Sequence, residues 1–451
     1  MKDEFQKNQL LTLTVEQHAG DGQGIAHLPD GRVCFVAQGL PGETAQVRLL
    51  KVGKTAAWAR AERILTPSAD RVPSDCPYYP KCGGCRSRYM TYEAECEAKR
   101  QKVEDALRRI GGADVTVETI LGAAQPNRYR NKVQFPIGAG GKIGFYRPRS
   151  HDVVDVEDCL LQPECAARVR RALIDYMREF HVPAYDEKTG KGLLRHLYLR
   201  SNHEGVVLCC LVVNGKKLPR EEELVRRLRR AEPGLAGVLL NENTANTNVV
   251  LGKHYRTLWG ESTLEETLLD LTFRLSAPSF FQVNRSQTEV LYRKALEFAG
   301  LTGSETVLDL YCGIGTISLC MARKAKEVIG AEVVPEAVRD AEENARRNGI
   351  ENARFFCGDA GEVAYRLAEE QVRPDVICVD PPRKGLQEEV PAILAGMAPR
   401  CIVYVSCDPA TLARDMKRFA ALGYATEKAV AVDLFPRTEH VEAIVSLQRE
   451  I

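Results

Sequence analysis

Two periodicities divide the chain. From about Leu10 to Leu65 apolar positions alternate in short runs, Leu11-Thr12-Leu13-Thr14-Val15, Arg32-Val33-Cys34-Phe35-Val36 and Ala45-Gln46-Val47-Arg48-Leu49. Asp21-Gly22, Pro29-Asp30-Gly31 and Pro41-Gly42 punctuate them, and a period of two between turn residues predicts a small antiparallel β-barrel. A Pro- and Cys-containing loop over 67–88 precedes a predicted helix at 92–110. Strand-like and helical segments then alternate to about Asp270, including 192–197 and the continuous apolar run 206–213, which reads as a buried strand. From Thr306 the order changes to strand 306–311, helix 316–325, strand 327–332, helix 335–348, strand 375–380, helix 387–397, strand 402–406, a helix from Pro409 and a final strand 443–447. Such alternation predicts an α/β domain with a largely parallel, Rossmann-like sheet. The expected division is a barrel over 1–66, a central α+β domain over 67–275 and an α/β domain over 276–451, with the 92–110 helix a candidate to pack on the last of these.

Length agrees with several cores, since 451 residues exceed what one core usually serves. Charge adds little: 62 Lys and Arg against 61 Asp and Glu leave a formal net charge of +1, which names no partner. Fifteen cysteines would suggest disulfides in a small secreted chain, but Met1-Lys2-Asp3-Glu4 carries no apolar leader, so a reducing, cytoplasmic setting is expected. No apolar run is long enough to cross a bilayer. Clustered cysteines then become candidate ligands or nucleophiles. No Asp or Glu occurs between Glu118 and Asp152, while Arg128, Arg130, Lys132, Lys142, Arg147 and Arg149 alternate with Tyr129, Phe135, Phe145 and Tyr146. That mixture suits phosphate contact and base stacking.

The chemistry concentrates at strand ends. Val307-Leu308-Asp309-Leu310-Tyr311-Cys312-Gly313-Ile314-Gly315-Thr316 is a buried strand breaking into a glycine turn and then a helix, the place where open α/β sheets bind ligands. A dinucleotide fingerprint would want a third glycine where Ser318 stands. About twenty residues on, Glu332 ends the next strand, where a carboxylate can accept from a ribose diol. With Asp309, this resembles the S-adenosylmethionine pocket of Rossmann-like methyltransferases, in which Asp359 would face the adenine; Asp359 could instead cap the following helix. In Asp380-Pro381-Pro382-Arg383 two prolines end the next strand and present Asp380 at the crevice rim. Amino-directed methyltransferases place an aromatic residue where Arg383 stands, so an exocyclic amine is disfavoured as the target. Cys407 ends a strand just before Asp408, suited to an N-cap, and Pro409, so the helix N-terminus is expected to lower its pKa from about 8.5. Glu439, His440 and Glu442 are the candidate bases nearby in sequence. Cys76, Cys82 and Cys85 share one short loop; a fourth ligand could be Cys159, with Cys165 and Cys96 as rivals, and four thiolates suit zinc or an iron–sulfur cluster.

The ordered motifs Phe280-Phe281-Gln282-Val283-Asn284, Asp309-Leu310-Tyr311-Cys312-Gly313-Ile314-Gly315-Thr316, Asp380-Pro381-Pro382-Arg383-Lys384-Gly385, Ser406-Cys407-Asp408-Pro409 and Phe435-Pro436-Arg437-Thr438-Glu439-His440-Val441-Glu442 resemble the RNA uracil-5-methyltransferase family over nearly the whole chain. Gly22-x-Gly24-Ile25-Ala26, Gly31-Arg32-Val33 and Leu40-Pro41-Gly42-Glu43 resemble a TRAM domain, an OB-like RNA-binding module. The resemblance implies that Gln282, Tyr311, Glu332 and Asp380 bind S-adenosylmethionine, that Cys407 is the nucleophile and that Glu442 accepts a proton. Phe435-Pro436-Arg437 departs from the more usual Phe-Pro-Gln. The cysteine spacing resembles the four-iron cluster of the 23S ribosomal RNA branch, which implies a [4Fe-4S] group on Cys76, Cys82, Cys85 and Cys159 rather than zinc, and 23S rRNA rather than tRNA as the partner. No obligate protein partner is implied. The rival readings are the same reaction on tRNA, an amino-directed RNA methyltransferase, and a non-catalytic RNA-binding protein.

Overall fold

In the computed structural model, which describes residues 5–19 and 22–450, the N-terminal alternation resolves into a curled six-stranded sheet. Asp21 of the expected Asp21-Gly22 turn and the Met1–Glu4 stretch lie outside the described residues. The strands are β1 (Leu10–Thr14), β2 (Gln17–His18), β3 (Gly24–His27), β4 (Val33–Ala37), β5 (Thr44–Val52) and β6 (Ala56–Thr66), in the order β1-β5-β6-β4-β3-β2. Every second residue, among them Leu13, Cys34, Val36, Val47, Leu49 and Ala57, enters one core. The sheet is not purely antiparallel as expected, because β6 runs parallel to β4. The β5–β6 hairpin folds back so that β6 lies between its own partner β5 and the earlier strand β4, which fixes that direction.

The middle of the chain supplies α1 (Tyr92–Arg109), β7 (Ile120–Leu121), β8 (Lys132–Gly138), β9 (Lys142–Tyr146), β10 (Val153–Asp155), α2 (Glu164–Glu179), β11 (Leu194–Ser201), β12 (Val207–Val213), α3 (Glu221–Ala231), β13 (Leu235–Glu242), β14 (His254–Gly260), β15 (Thr263–Leu268) and β16 (Leu271–Ser276). Seven strands form one sheet, β10-β9-β8-β11-β12-β13-β14. Strand β12 is buried along its whole length, as a run without alternation requires when both faces are covered. One face packs on α2 and α3 through Val169, Leu173, Leu224 and Leu228. The other face sends Tyr198, Leu208, Cys210 and Leu239 into a core shared with the C-terminal sheet.

That C-terminal sheet combines α4 (Arg285–Ala299), β17 (Thr306–Leu310), α5 (Thr316–Ala322), β18 (Glu327–Glu332), α6 (Pro335–Arg347), β19 (Ala353–Cys357), α7 (Ala360–Glu369), β20 (Val376–Val379), α8 (Val390–Gly396), β21 (Cys401–Ser406), α9 (Pro409–Ala420), β22 (Tyr424–Val432) and β23 (Glu442–Arg449). Its order is β19-β18-β17-β20-β21-β23-β22-β7. Strands β17 to β21 are parallel, whereas β23 runs antiparallel to β21 and β22. Val307, Val328, Val376 and Val403 face one layer of helices, and Leu308, Ile329, Ile377 and Ile402 face the other. Helix α1 buries Val103 and Leu107 in this second layer, so the helix that follows the cysteine loop packs on the C-terminal sheet. Thr91 caps it by accepting from the Ala94 amide. Among the described residues, no helix is long and apolar enough to cross a membrane.

The fully buried side chain of Asn344 on α6 accepts from the Arg274 amide at 2.9 Å and donates to the Ile314 carbonyl at 3.2 Å, tying the β15–β16 hairpin to the glycine turn after β17. Replacing it with leucine strands both backbone groups. Asn344→Leu is therefore expected to lower unfolding free energy by about 1–3 kcal/mol, measured by denaturant titration.

Candidate active site

Strand direction places the candidate residues in one row. Parallel strands end on a common edge, and β23 begins there because it runs the other way, with Ser406 opposite Ala443. Reading along the sheet order, that edge presents Glu332 after β18, Tyr311 after β17, Asp380 after β20, Cys407 after β21 and Glu442 at the start of β23. Cys407 thus sits between the strand ends that carry Asp380 and Glu442.

Each residue is held by local structure. Tyr311 adopts φ +68°, turning the chain out of β17 into the glycine turn, and burial pushes its hydroxyl up to about 12. Glu332 accepts from the Gly313 amide at 3.1 Å and the Val334 amide at 2.9 Å, so it shapes the turn it faces. Ser318, at the position of the missing third glycine, is buried and donates to Asp309. Asp309 itself is fully buried beneath the turn, and lack of solvent pushes its carboxyl up to about 7. Gln282 is 8% exposed, and its carbonyl accepts from Asn131 Nδ2 at 2.9 Å. Asp359 caps α7, accepting from Gly361 at 2.9 Å, and its second oxygen accepts from Gln387 at 3.2 Å.

The electrostatics around Cys407 reverse one expectation. Asp408 caps α9 with its own carboxylate, accepting from the Ala410 and Thr411 amides at 3.0 Å, so the helix N-terminus is already satisfied by an anion. The Cys407 thiol is pushed up to about 11 rather than down, first by burial and then by Glu442 and Asp380, with Arg383 opposing. Burial pushes Asp380 up to about 7. Burial and then Asp380 push Glu442, 3% exposed, well above the usual carboxylate range, again against Arg383. His440 lies 3.3 Å from Arg383, and burial followed by that cation drives it down to about 4, so it is neutral near pH 7. Glu439 pairs with Arg86 at 3.7 Å and also lines the cavity above Cys407.

A cavity of about 580 Å³ opens on Cys407. Barrel residue His18, α1 residues Gln101, Lys102 and Arg109, and the edge residues Arg383 and His440 line it with the cysteine. Sequence reasoning treated Arg383 only as a missing aromatic and gave α1 no part in the site. Its one signal was the fourth position of Asp-Pro-Pro-Arg.

A second cavity, of about 200 Å³, is lined by Cys76, Cys82, Cys85 and Cys159 together with Arg88 and Arg130. The structure thus brings the fourth candidate to the other three. Cys165 is instead buried in the core beneath α2, and Cys96 lies against Gly122. Arg128 holds Asp158 in a two-pronged pair and donates to the Cys159 carbonyl at 3.0 Å, anchoring the distant segment. Arg88 Nε lies 3.4 Å from Cys85 Sγ. Among the described residues no three His, Cys, Asp or Glu side chains converge on a point where one metal ion would sit. Four soft donors ringing a cavity with adjacent cations do fit an anionic thiolate-bound cluster. The basic–aromatic tract is less available to RNA than expected: Phe135 and Phe145 pack on each other at 5.1 Å in the central core, and Tyr129 donates to the Pro436 carbonyl at 3.0 Å.

The pattern of the tRNA (uracil-5-)-methyltransferase family matches residues 92–450, and that of the TRAM domain matches residues 4–61. An RNA methyltransferase of Clostridium tetani is 45% identical over 97% of this chain and 96% of its own, and one of Halalkalibacterium halodurans is 43% identical over 98% and 97%. Among solved structures, a Pyrococcus abyssi tRNA (uracil-54, C5)-methyltransferase in complex with S-adenosyl-L-homocysteine is 26% identical and superposes with a TM-score of 0.75, covering 97% of this chain and all of that one, 100%. With these matches over a sheet edge that carries Tyr311, Asp380, Cys407 and Glu442, the chain belongs to the uracil-5 family of S-adenosylmethionine-dependent RNA methyltransferases and begins with a TRAM domain.

Proposed function

We propose that this enzyme methylates carbon 5 of a uridine in 23S rRNA, using Cys407 as nucleophile and Glu442 as base. The observation that carries the reading is the placement of Cys407 between Asp380 and Glu442 at one strand edge, beneath a cavity walled by the barrel and α1. Carbon 5 of uracil is too weakly nucleophilic to take a methyl group unaided. Addition of the Cys407 thiolate to carbon 6 moves the double-bond pair toward the carbon 4 oxygen as an enolate, and carbon 5 then attacks the methyl. Glu442 removes the carbon 5 proton, the double bond re-forms and the thiolate leaves. Gln282, Tyr311, Glu332, Asp359 and Asp380 hold the donor, which supplies a methyl on a cationic sulfonium. The sugar contact falls to Glu332 and the adenine side to Asp359. The uridine leaves its stack to reach Cys407. RNA approaches through the cavity where Lys102, Arg109 and Arg383 supply positive charge for phosphates.

Cys76, Cys82, Cys85 and Cys159 would hold a [4Fe-4S] cluster, which in a reaction without electron transfer serves to staple the central domain and its RNA-facing loop. The Pyrococcus abyssi tRNA enzyme spans 97% of this chain, so the preference for 23S rRNA rests on the cysteine spacing alone, and the same reaction on tRNA is the second reading.

With RNA containing 5-fluorouridine, whose fluorine cannot leave as a proton does, the enzyme is expected to form a denaturant-stable adduct that Cys407→Ala abolishes. An undiminished methylation rate in Cys407→Ala would sink the mechanism, and mapping of 5-methyluridine in ribosomal and transfer RNA with and without the gene decides the substrate. Anaerobically purified protein should be brown, with the colour lost in Cys82→Ala and kept in Cys407→Ala; a colourless, zinc-containing protein contradicts the cluster.

Both the thiol and Glu442 must lose protons, and both are pushed up in the free enzyme. Activity as kcat/KM is therefore expected to climb with rising pH through the alkaline range toward about 11, where the thiol ionises. Arg383→Gln removes the cation that opposes both shifts and moves the climb to higher pH. Initial rates of labelled methyl incorporation check this, and a profile falling above neutrality contradicts it.

A further inference from the structure

The segment that joins β22 to β23 leads into Glu442, the first residue of β23, and it is fastened from outside the C-terminal sheet. On α1, Lys99 Nζ donates to Glu95 Oε1 at 2.7 Å, to Asp433 Oδ1 at 2.8 Å and to the Phe435 carbonyl at 3.1 Å. Glu95, Lys99 and Asp433 are 2%, 4% and 0% exposed. Tyr92 donates to the other Asp433 oxygen at 2.7 Å, and Glu95 Oε1 accepts from the Arg437 amide at 2.6 Å. Lys102, one turn further along α1, donates to the Glu439 carbonyl at 3.0 Å. A buried cation shared by two carboxylates is costly to assemble and costly to break, so it fixes the residues it joins in one arrangement. Here it joins a helix 334 positions away in sequence to the root of the catalytic segment.

Helix α1 also packs on α9, which follows Cys407, but these hydrogen bonds of Lys99, Glu95 and Asp433 do not reach β21 or Cys407. Cys407 is placed by β21 itself, paired on both sides, and by the Asp408 cap of α9. Both reacting groups sit at the sheet edge, and Lys99 reaches the Glu442 side of it: Asp433 directly follows Val432, the residue paired with Glu442.

We infer that Lys99, with Glu95 and Asp433, is the positioning group for the base, governing removal of the carbon 5 proton and not the earlier addition of Cys407. The inference rests on the reading of Glu442 as that base. In chemical terms, thiolate addition forms the sulfur–carbon 6 bond as the ring double-bond pair moves to the carbon 4 oxygen, and methyl transfer forms the new carbon–carbon bond as the methyl–sulfonium bond breaks, its pair leaving with the donor's sulfur. Only then does Glu442 take the carbon 5 proton, the released pair restoring the ring double bond as the sulfur–carbon 6 bond breaks. A displaced base leaves the methylated, covalently bound RNA waiting at the last step.

The test uses full-length protein, labelled S-adenosylmethionine and ribosomal RNA from cells lacking the gene, reading both released methylated RNA and methyl-labelled adduct that survives denaturant. Glu442→Gln should accumulate adduct. Lys99→Met should do the same, with turnover down by about a hundredfold, as an ångström-scale misplacement of a base entails, while KM for RNA stays within about twofold. Asp433→Asn keeps the Lys99–Glu95 pair and a hydrogen-bonding side chain; it should show a smaller loss with detectable adduct, and it serves if Lys99→Met does not fold. Failure of Glu442→Gln to accumulate adduct overturns the base assignment and the inference with it. Accumulation in Glu442→Gln without accumulation in either folded network variant, or equal losses of adduct formation and release in those variants, overturns the positioning role alone.

Discussion

Three ionisable groups meet at the end of β21 with too little solvent to charge them all. Two like charges about 4 Å apart repel by roughly 4 kcal/mol even at an effective dielectric of about 20, so a thiolate between two carboxylates is resisted from both sides. The free enzyme answers by keeping protons on: Asp380 is held near 7, Glu442 higher than an ordinary carboxyl, and the Cys407 thiol near 11. Arg383 is the cation whose charge opposes both the Cys407 and the Glu442 shifts.

Placement of those groups follows from strand direction. Parallel strands bring Glu332, Tyr311, Asp380 and Cys407 to one edge, and the single reversal at β23 adds Glu442 from the far end of the chain. The sheet cannot fix the excursion between β22 and β23, however. Its carbonyls and amides are satisfied by residues from the first two-thirds of the chain: Asn284 holds the Leu434 carbonyl, Gln287 the Asp433 carbonyl and Tyr129 the Pro436 carbonyl. Residues of α4 and of the central domain thus complete this edge, while the barrel and α1 wall the cavity above it.

This division marks what the sequence could show. The row of strand ends was legible because a buried strand, a glycine turn and a capped helix are local signals, as at 306–316 and 401–411. Strand β22 was not, because Glu427 and Lys428 interrupt its apolar pattern on the side where the register slips. Helix α1 was legible as a helix, but its buried Glu95 and Lys99 look like an ordinary surface pair at i and i+4 until Asp433 arrives beside them. The sign of the Cys407 shift was misread for a similar reason: the helix N-terminus is visible in sequence, whereas the burial and the two carboxylates that outweigh it come from other strands.

Arg437 shows how far the tertiary context reaches. Its departure from the usual glutamine leaves the base where it was, but it adds a guanidinium beside Glu95 at 3.5 Å and over the Tyr92 ring at 5.3 Å, offsetting the second carboxylate of the buried group. Its backbone sits at φ +68°, which turns its carbonyl toward the amides of Arg86 and Ser87 at 2.9 and 3.4 Å. Arg86 directly follows Cys85. Whatever orders the cysteine loop therefore orders the backbone that receives the catalytic segment, and a group bound by four thiols would act on methyl transfer through stiffness, with no electron needing to move.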